Sequence, residues 1–304
     1  MKIIVTGATG LVGSALVPSL LAEGHQVTRL VRGAGSESSR TAGVTDVLWN
    51  PAAGTVDAGA LEGHDAAVHL AGESVAERWT EEKKHRIRES RVAGTRLLAE
   101  TLGGLVQKPK TLVCASAIGY YGSNRGDELL KEESAAGKDF LAGVCRDWEA
   151  AADAARAAGI RTVHLRIGVV LSGEGGALAK MLTPFKMGVG GRIGSGEQYM
   201  SWIALDDVVG IIKYALTNET LEGAVNTVAP HPVKNSQFTA TLGRVLGRPT
   251  IFPMPAFAVR LMFGEMGDAL LLGSARVEPS HLRAANYKFA YTELEDALRH
   301  AVGK

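Results

Sequence analysis

The chain has 304 residues, of which 46% are hydrophobic, enough for one large α/β domain or a nucleotide-binding domain with a smaller lobe. The formal net charge of +1 gives no electrostatic reason to expect a nucleic acid or an anionic membrane as a partner. No apolar run approaches the ~20 residues that cross a bilayer, and the first predicted strand leaves no room for a signal peptide. We therefore expect a cytoplasmic protein, a monomer or homodimer, that binds a small-molecule substrate.

The first segment of the chain predicts a nucleotide-binding turn. A short β-branched strand, Ile3–Val5, is followed by a predicted helix from about Leu11 to Glu23. Between them, Gly7 permits a sharp turn, Gly10 lets a pyrophosphate approach the backbone, and Gly13 lets the helix lie close to the sheet. The free N–H groups and the positive dipole end of the helix favour phosphate. The residues that we assign to the cofactor here are Gly7, Thr9, Gly10, Leu11, Val12 and Gly13.

The end of the second predicted strand, Gln26–Arg32, indicates which dinucleotide binds. NAD-binding turns place an Asp or Glu near this point to accept hydrogen bonds from the ribose hydroxyls. This strand has no acid, and Val31 and Arg32 occupy the position. A guanidinium suits a phosphate dianion, and the serines and Arg40 in residues 36–40 add possible donors. We predict NADP(H) rather than NAD(H); the alternative is that Arg32 is a solvated charge at the strand end.

Strand and helix signals alternate through the first half of the chain, which predicts a Rossmann-type, doubly wound parallel sheet. The further strands predicted here are Asp46–Trp49, Ala66–Leu70, Thr111–Ala115 and Arg161–Ile167, with helices Glu81–Leu102 and Phe140–Ala157. From Ser172 onward the pattern becomes irregular and rich in glycine. We predict a nucleotide-binding α/β domain over residues 1–171, to which residues 201–229 return. Residues 172–200 and 230–304 are predicted to form a smaller C-terminal substrate lobe.

The order of these motifs resembles the extended short-chain dehydrogenase/reductase superfamily. Within it, the chain resembles an atypical epimerase-like branch, often labelled nucleoside-diphosphate-sugar epimerase, with an extra C-terminal domain. The motifs that carry the resemblance are Thr6–Gly13, His69–Glu73, Ser90–Thr95, Gly119–Gly122, Leu165–Leu171, Gly190–Gly196 and Arg276–Leu298. The resemblance covers essentially the whole chain. We place the end of the fourth strand (Leu70, Ala71, Gly72 and Glu73) and Arg166 beside the cofactor.

The catalytic residues that this resemblance implies are altered. The superfamily uses a Tyr-x-x-x-Lys pair, in which the lysine lowers the phenol pKa so that tyrosine exchanges a proton with the substrate. None of the six tyrosines is followed four residues later by lysine. Alignment on the helix after the fifth strand puts Leu141 and Cys145 at these positions. The superfamily's serine becomes Ala117, next to Ser116, and its asparagine becomes Arg91.

The best remaining acid/base candidate is Tyr121, with Arg91 or Arg125 as the cation that lowers its pKa, and Ser116 nearby. Each has a structural alternative: Tyr121 as a pocket wall, Arg91 as a cofactor ligand or partner of Glu73, and Ser116 as a strand cap. The leading hypothesis is an NADP(H)-dependent oxidoreductase or epimerase-like enzyme acting on a small polar molecule. The alternative is a catalytically silent NADP(H)-binding protein that reports the redox state of the cofactor.

Other polar and sulfur-containing residues do not suggest a further site. The eight histidines are scattered, without a His-x-x-x-His spacing or an adjacent cysteine pair, and we predict no metal site. Cys114 and Cys145 fall in apolar or helical stretches, which indicates reduced core residues rather than a disulfide. The basic run Lys83–Arg86 is flanked by glutamates, a pattern typical of a solvated helix face.

Overall fold

The computed structural model describes residues 1–33 and 42–304, so the donors expected within residues 36–40 lie outside the described residues. The strands are β1 (Lys2–Thr6), β2 (Gln26–Val31), β3 (Val44–Asn50), β4 (Thr55–Val56), β5 (Ala66–His69), β6 (Thr111–Ala117), β7 (Asn124–Leu130), β8 (Arg161–Ile167), β9 (Val169–Leu171), β10 (Tyr199–Met200), β11 (Trp202–Ala204), β12 (Gly223–Thr227), β13 (Val233–Lys234) and β14 (Ser274–Val277). The α-helices are α1 (Leu11–Ala22), α2 (Glu81–Gly104), α3 (Phe140–Ala150), α4 (Asp153–Ala157), α5 (Gly176–Lys186), α6 (Leu205–Thr217), α7 (Asn235–Leu246), α8 (Ala256–Phe263), α9 (Glu265–Leu270), α10 (Ser280–Ala284) and α11 (Leu294–Ala301).

An eight-stranded sheet with the order β12-β8-β6-β5-β1-β2-β3-β4 forms the centre of the protein. Its neighbouring strands are parallel except β4, which pairs antiparallel with β3. The chain proceeds outward from β1 through β2 to one edge, then returns to β5 on the other side of β1. The carboxyl ends of β1 and β5 therefore form a topological switch point, where α/β sheets bind ligands. The predicted α/β fold with a doubly wound parallel sheet is confirmed.

Helices cover both faces of this sheet, which explains why the centre of β1, Ile3–Val5, is apolar at every position. Ile3 and Val5 contact one core with α1 and α6, whereas Ile4 contacts a second core with α2 on the opposite face. Successive side chains of a strand point to opposite faces, so a strand covered on both faces has no polar position. All three side chains are fully buried. This packing holds the glycine turn after β1 at the carboxyl edge of the sheet.

The predicted continuous helix Phe140–Ala157 is wrong, because the structure divides it into α3 and α4. The Ala152 N–H donates to the carbonyl of Glu149, three residues earlier, so the regular α-helical hydrogen bonding is interrupted there. The shorter α4 then packs closely on α2, where a Cβ on Gly103 would lie 3.2 Å from the Cβ of Ala158. An alanine-rich run contains no local helix breaker, so the sequence alone favours a continuous helix.

A separate core lies beyond the carboxyl end of β8, where helices of the predicted C-terminal lobe pack on β9 and β11, which the prediction assigned to the nucleotide-binding domain. After Gly168, β9 pairs in parallel with β11, and α5, α7 and α11 pack together around Trp202. The non-local pairs β10–β13 and β7–β14 were not predicted from the sequence. The domain boundaries given above stay a prediction. Within the described ranges, every helix is too short or too polar to span a membrane.

Candidate functional site

The turn after β1 has the close contacts that require glycine. Gly7 has a φ of +67°, and a Cβ there would lie 2.7 Å from the carbonyl carbon of Leu70. A Cβ on Gly13 would lie 2.2 Å from the carbonyl oxygen of Gly7, so α1 presses directly against the turn. Gly10 differs, because it is exposed and its Cβ would approach only that same oxygen, at 3.3 Å. The space above Gly10 is therefore open to a ligand.

The N-terminus of α1 presents hydrogen-bond donors to this space. The helix begins after Gly10 without a side-chain cap, and Thr9 beside it is exposed. Among the described residues, the backbone N–H groups of Leu11, Val12 and Gly13 have no acceptor. Unpaired N–H groups and the positive end of the helix dipole favour an anion at this position. The residues assigned to the cofactor from sequence thus lie together at one uncapped helix start.

The end of β5 is held against the glycine turn by a buried side chain. The hydroxyl of Thr6 accepts from the N–H groups of Leu70 and Ala71, both at 3.2 Å, and forms a hydrogen bond with Nδ1 of His69 at 2.7 Å. Burial lowers the pKa of His69 to about 4, so its ring is neutral. These bonds place Leu70 and Ala71, with the exposed Gly72 after them, beside the glycine turn.

The loop before α5 covers one side of the groove that lies between the glycine turn and the end of β5. A Cβ on Gly175 or Gly176 would lie 3.2 or 3.0 Å, respectively, from the Leu11 side chain. Nζ of Lys180 donates to the carbonyl of Ala76 at 2.9 Å, which joins α5 to the loop after β5. From the sequence, this region is recognisable only as rich in glycine. The structure shows why glycine is needed at Gly176, whose φ of +71° is rarely adopted by other residues.

Arg32 and Glu73 follow β2 and β5, respectively, the two strands that flank β1. Arg32 is exposed just after β2. Oε1 of Glu73 accepts from Nζ of Lys83 at 2.8 Å, and this ammonium group holds the pKa of Glu73 below its usual value. The prediction that Lys83 lies on a solvated face is wrong, because it is 3% exposed and also binds Glu77. Glu73 therefore secures the loop after β5.

Arg91 lies under the same loop without an anionic partner. Its guanidinium stacks on the ring of Trp148 at 5.0 Å, and a Cβ on Gly72 would lie 3.2 Å from its Cζ. Its NH1 donates to the carbonyl of Ile87 at 3.0 Å, and no described carboxylate is within 4.0 Å. Burial lowers the pKa of Arg91. The suggested ion pair between Arg91 and Glu73 is not formed.

The phenol of Tyr121 is enclosed by the protein, which argues against the predicted proton exchange with a substrate. The side chain is 0% exposed; its hydroxyl donates to Oδ1 of Asn226 at 2.6 Å and accepts from NH1 of Arg166 at 3.0 Å. Burial raises the pKa of Tyr121 to about 12. The alternative cation, Arg125, donates to the carbonyl of Tyr121 and pairs with Glu128 rather than facing the phenol.

Arg166 and Ser116 belong to the same buried network. Nε and NH2 of Arg166 each donate to Glu149 at 2.9 Å, and its NH1 also donates to the carbonyl of Glu132. Ser116 donates to Oε1 of Glu149 at 2.7 Å. Arg166 is 4% exposed and stacks on Tyr120, with its Cζ 3.4 Å from the ring centre. This geometry contradicts Arg166 as a cofactor ligand and Ser116 as a reacting hydroxyl, because their polar groups are engaged inside the protein.

The positions of the missing Tyr-x-x-x-Lys pair are filled by apolar packing. Leu141 and Cys145 lie one turn apart on α3, and a Cβ on Gly119 would contact them at 3.4 and 3.7 Å. Cys145 is buried, and burial raises the pKa of its thiol to about 12. Leu141 has no ionisable group, and the buried thiol of Cys145 is protonated at neutral pH.

Residues 3–227 match the model described as the NAD dependent epimerase/dehydratase family. The chain belongs to this family. Residues 254–301 match a second model, described as a domain of unknown function (DUF1731). The resemblance to the epimerase-like branch with an extra C-terminal domain is confirmed.

Several relatives in the epimerase/dehydratase family align with the whole chain. An epimerase family protein of Mycobacterium tuberculosis is 41% identical over 300 residues, which cover 98% of this chain and 97% of that protein. The crystal structure of the human epimerase family protein SDR39U1 (isoform 2) with NADPH is 35% identical with a TM-score of 0.87, and all of both chains is covered. A nucleoside-diphosphate sugar epimerase from Corynebacterium glutamicum is 38% identical with a TM-score of 0.80, over 100% of this chain and 58% of that chain.

Proposed function

We propose that this protein binds NADP(H) in the groove between the glycine turn and the end of β5. We further propose that it acts in the cytoplasm as an oxidoreductase or epimerase-like enzyme on a small polar molecule. The observation that carries the proposal is the open space above Gly10, faced by three unpaired N–H groups of α1. The NADPH in the structure of the human relative supports the same cofactor.

Each part of NADP(H) can be assigned to residues of this groove. The backbone from Gly7 to Gly13 would hold the pyrophosphate, and Leu70–Gly72 would line the opposite side. Arg32, which stands where an NAD-binding protein has an acid, would bind the additional ribose phosphate of NADP(H). When bound, the nicotinamide supplies or accepts a hydride. The loop containing Gly175 and Gly176 would shield the cofactor from water.

Arg91 is the residue that we propose to hold the substrate. It is a partly buried guanidinium beside Gly72, with no carboxylate partner among the described residues. A desolvated cation of this kind favours a carboxylate or phosphate, which guanidinium donors bind in a planar arrangement. The proposed substrate is therefore a small polar molecule with an anionic group. The protein would orient that group, and the enclosed Tyr121 would not donate the proton.

The second candidate function is a catalytically silent NADP(H)-binding sensor. The specific observation that favours it is the apolar packing of Leu141 and Cys145, together with the burial of Tyr121. A sensor needs the cofactor groove but no proton donor. It has no evident need for the guanidinium of Arg91 beside the groove, and this favours the enzyme.

Cofactor choice is tested by titrating the protein with NADPH and NADH in parallel. We expect NADPH to bind at least about ten-fold more tightly, on the order of 1.4 kcal/mol. Arg32→Ala should weaken NADPH and leave NADH nearly unchanged. The matched control is Arg29→Ala, because Arg29 lies on β2, three residues before Arg32, but is paired with Asp46 at 2.6 Å. Equal affinity of the native protein for the two cofactors would contradict the assignment.

Enzyme and sensor are separated by turnover measurements with NADPH, carbonyl compounds and nucleotide sugars. The enzyme proposal requires steady-state turnover that falls in Arg91→Gln but survives in Cys145→Ala. NADPH binding in all three proteins is measured alongside, so that lost turnover is not confused with lost cofactor. Tight NADPH binding without turnover on any anionic substrate of the panel would favour the sensor.

A further inference from the structure

Three metal-ligating side chains meet away from the cofactor groove. Glu132 and Glu133 follow β7, whereas His281 is on α10, nearly 150 residues further along the chain. One carboxylate oxygen from each glutamate and one ring nitrogen of His281 lie within 4.8 Å of one another. Acidic groups often lie close together without a ligand, so the cluster needs further support.

The support comes from the buried carboxylate of Glu132, which is 6% exposed. Its Oε1 accepts from the N–H groups of Asn226 at 3.0 Å and of His281 at 3.2 Å. Its Oε2 is buried and has no hydrogen-bond partner among the described residues. A buried carboxylate oxygen without a donor or a cation is destabilising, and such groups in native proteins indicate an ion or water. The carboxylate is thus held by one oxygen and lacks a partner for the other.

The ring of His281 is oriented so that it can supply a ligand. Nδ1 lies 2.9 Å from the carbonyl oxygen of Ala224, which only an N–H group can approach in this way. In the neutral ring, Nε2 then carries a lone pair, and it faces Oε1 of Glu133 at 2.9 Å. Two acceptors at this distance need either a proton on one of them or a cation that both contact. A protonated ring would satisfy Glu133 but leave Oε2 of Glu132 unpaired, whereas a cation would satisfy all three side chains.

We propose that Glu132, Glu133 and His281 bind a divalent transition-metal cation, Zn²⁺ by preference. Carboxylates bind both classes of divalent cation, but the imidazole of His281 suits first-row transition metals better than Mg²⁺ or Ca²⁺, and three protein ligands leave a position for water. The bond from Nδ1 to Ala224 is the outer contact that commonly fixes the ring of a ligating histidine. The bound ion would join α10 to the segment after β7 and to the edge strand β12.

The expectation of no metal site rested on sequence spacing, which cannot detect ligands on distant segments. The proposed site is independent of the cofactor groove, although Glu132 and Tyr121 contact the same residue, Asn226. Its role is structural: the ion would fasten the DUF1731 segment, which contains His281, to the edge of the sheet. Metal binding should therefore appear as added stability of the folded chain.

The test uses the full chain without an affinity tag, dialysed against chelator and titrated with Zn²⁺ by calorimetry. We expect one equivalent to bind and the melting temperature to rise with Zn²⁺ but not with Mg²⁺. Glu133→Gln should weaken binding at least about ten-fold and His281→Gln at least about a hundred-fold. Both variants change partly exposed side chains and leave the Glu132–Asn226 bond in place. Co²⁺ in place of Zn²⁺ should give a visible absorption band that is lost in His281→Gln.

The matched control is His300→Gln. His300 faces Asp206 at the same distance of 2.9 Å, but it is not part of a cluster with a second carboxylate. This variant should bind Zn²⁺ as the native protein does. Failure of the native protein to bind one equivalent at about 100 μM Zn²⁺ would overturn the proposal. Equal affinity in the native protein and in His281→Gln would also overturn it, because the ion would then lie elsewhere.

Discussion

Removing only the hydroxyl of Tyr121 tests whether this side chain has a structural role. In Tyr121→Phe the ring keeps its buried position, and two hydrogen bonds are lost. Asn226 loses the donor at 2.6 Å, and NH1 of Arg166 loses the acceptor at 3.0 Å. Arg166 keeps its bonds to Glu149 and to the carbonyl of Glu132, so its charge stays paired. The substitution therefore weakens the network without dismantling it.

The expected loss of stability follows from these two bonds. A neutral hydrogen bond contributes about 0.5–1.5 kcal/mol, and one to a charged group about 1.5–3 kcal/mol. Because NH1 of Arg166 retains its second acceptor, we expect the lower end, about 2 kcal/mol. Unfolding entropy is about 2.1 cal/mol/K per residue, or about 640 cal/mol/K for 304 residues. The melting temperature should fall by about 3 °C.

Thermal denaturation and NADPH titration together test whether the Tyr121 hydroxyl has a structural role. We expect the lower melting temperature, with NADPH affinity unchanged within about a factor of two. The control is Tyr214→Phe, because the Tyr214 hydroxyl donates to the neutral carbonyl of Ala285 and its loss should lower stability by only about 1 kcal/mol. An unchanged melting temperature combined with a ten-fold loss of NADPH-dependent turnover would refute our reasoning and return Tyr121 to the reacting centre.

Three further predictions concern the cofactor turn, the substituted catalytic positions and a buried histidine. Gly10→Val should lower the affinity for NADPH at least about a hundred-fold while the circular dichroism spectrum stays native. Gly13→Val should instead fail to fold, because its side chain would overlap the carbonyl oxygen of Gly7. A Gly10→Val protein that binds NADPH normally would contradict the proposed site. The double variant Leu141→Tyr, Cys145→Lys should show no strong reductase activity in an NADPH turnover assay, because a buried lysine tends to lose its charge. Strong turnover would show that the native protein lacks only the proton relay. The pKa of His69 is about 4 in the folded protein rather than 6.5, so neutral His69 contributes on the order of 3 kcal/mol of stability above pH 6.5, and this contribution is lost as the pH falls to about 4. The melting temperatures of the native protein and of His69→Gln should therefore diverge over this pH range. Parallel curves would exclude this effect of His69.

The central sheet and the cofactor turn were predictable from the amino-acid sequence, because both depend on short-range patterns. The apolar run Ile3–Val5 and the spacing of Gly7, Gly10 and Gly13 specify a buried strand, a turn and a helix start over little more than ten residues. The absence of a Tyr-x-x-x-Lys pair is likewise visible without coordinates. The helix break before Asp153 was missed, since an alanine-rich run is locally compatible with a continuous helix.

The roles of the polar side chains depend on tertiary contacts and could not be predicted from the sequence. Tyr121 and Arg166 looked available from their positions at strand ends, but Glu149 and Asn226 engage them inside the protein. The partners of Tyr121 are 45 and 105 residues away, and those of His281 are 57 and 148 residues away. Burial and pairing set whether a group is free to react, and both depend on which distant segments the fold brings together.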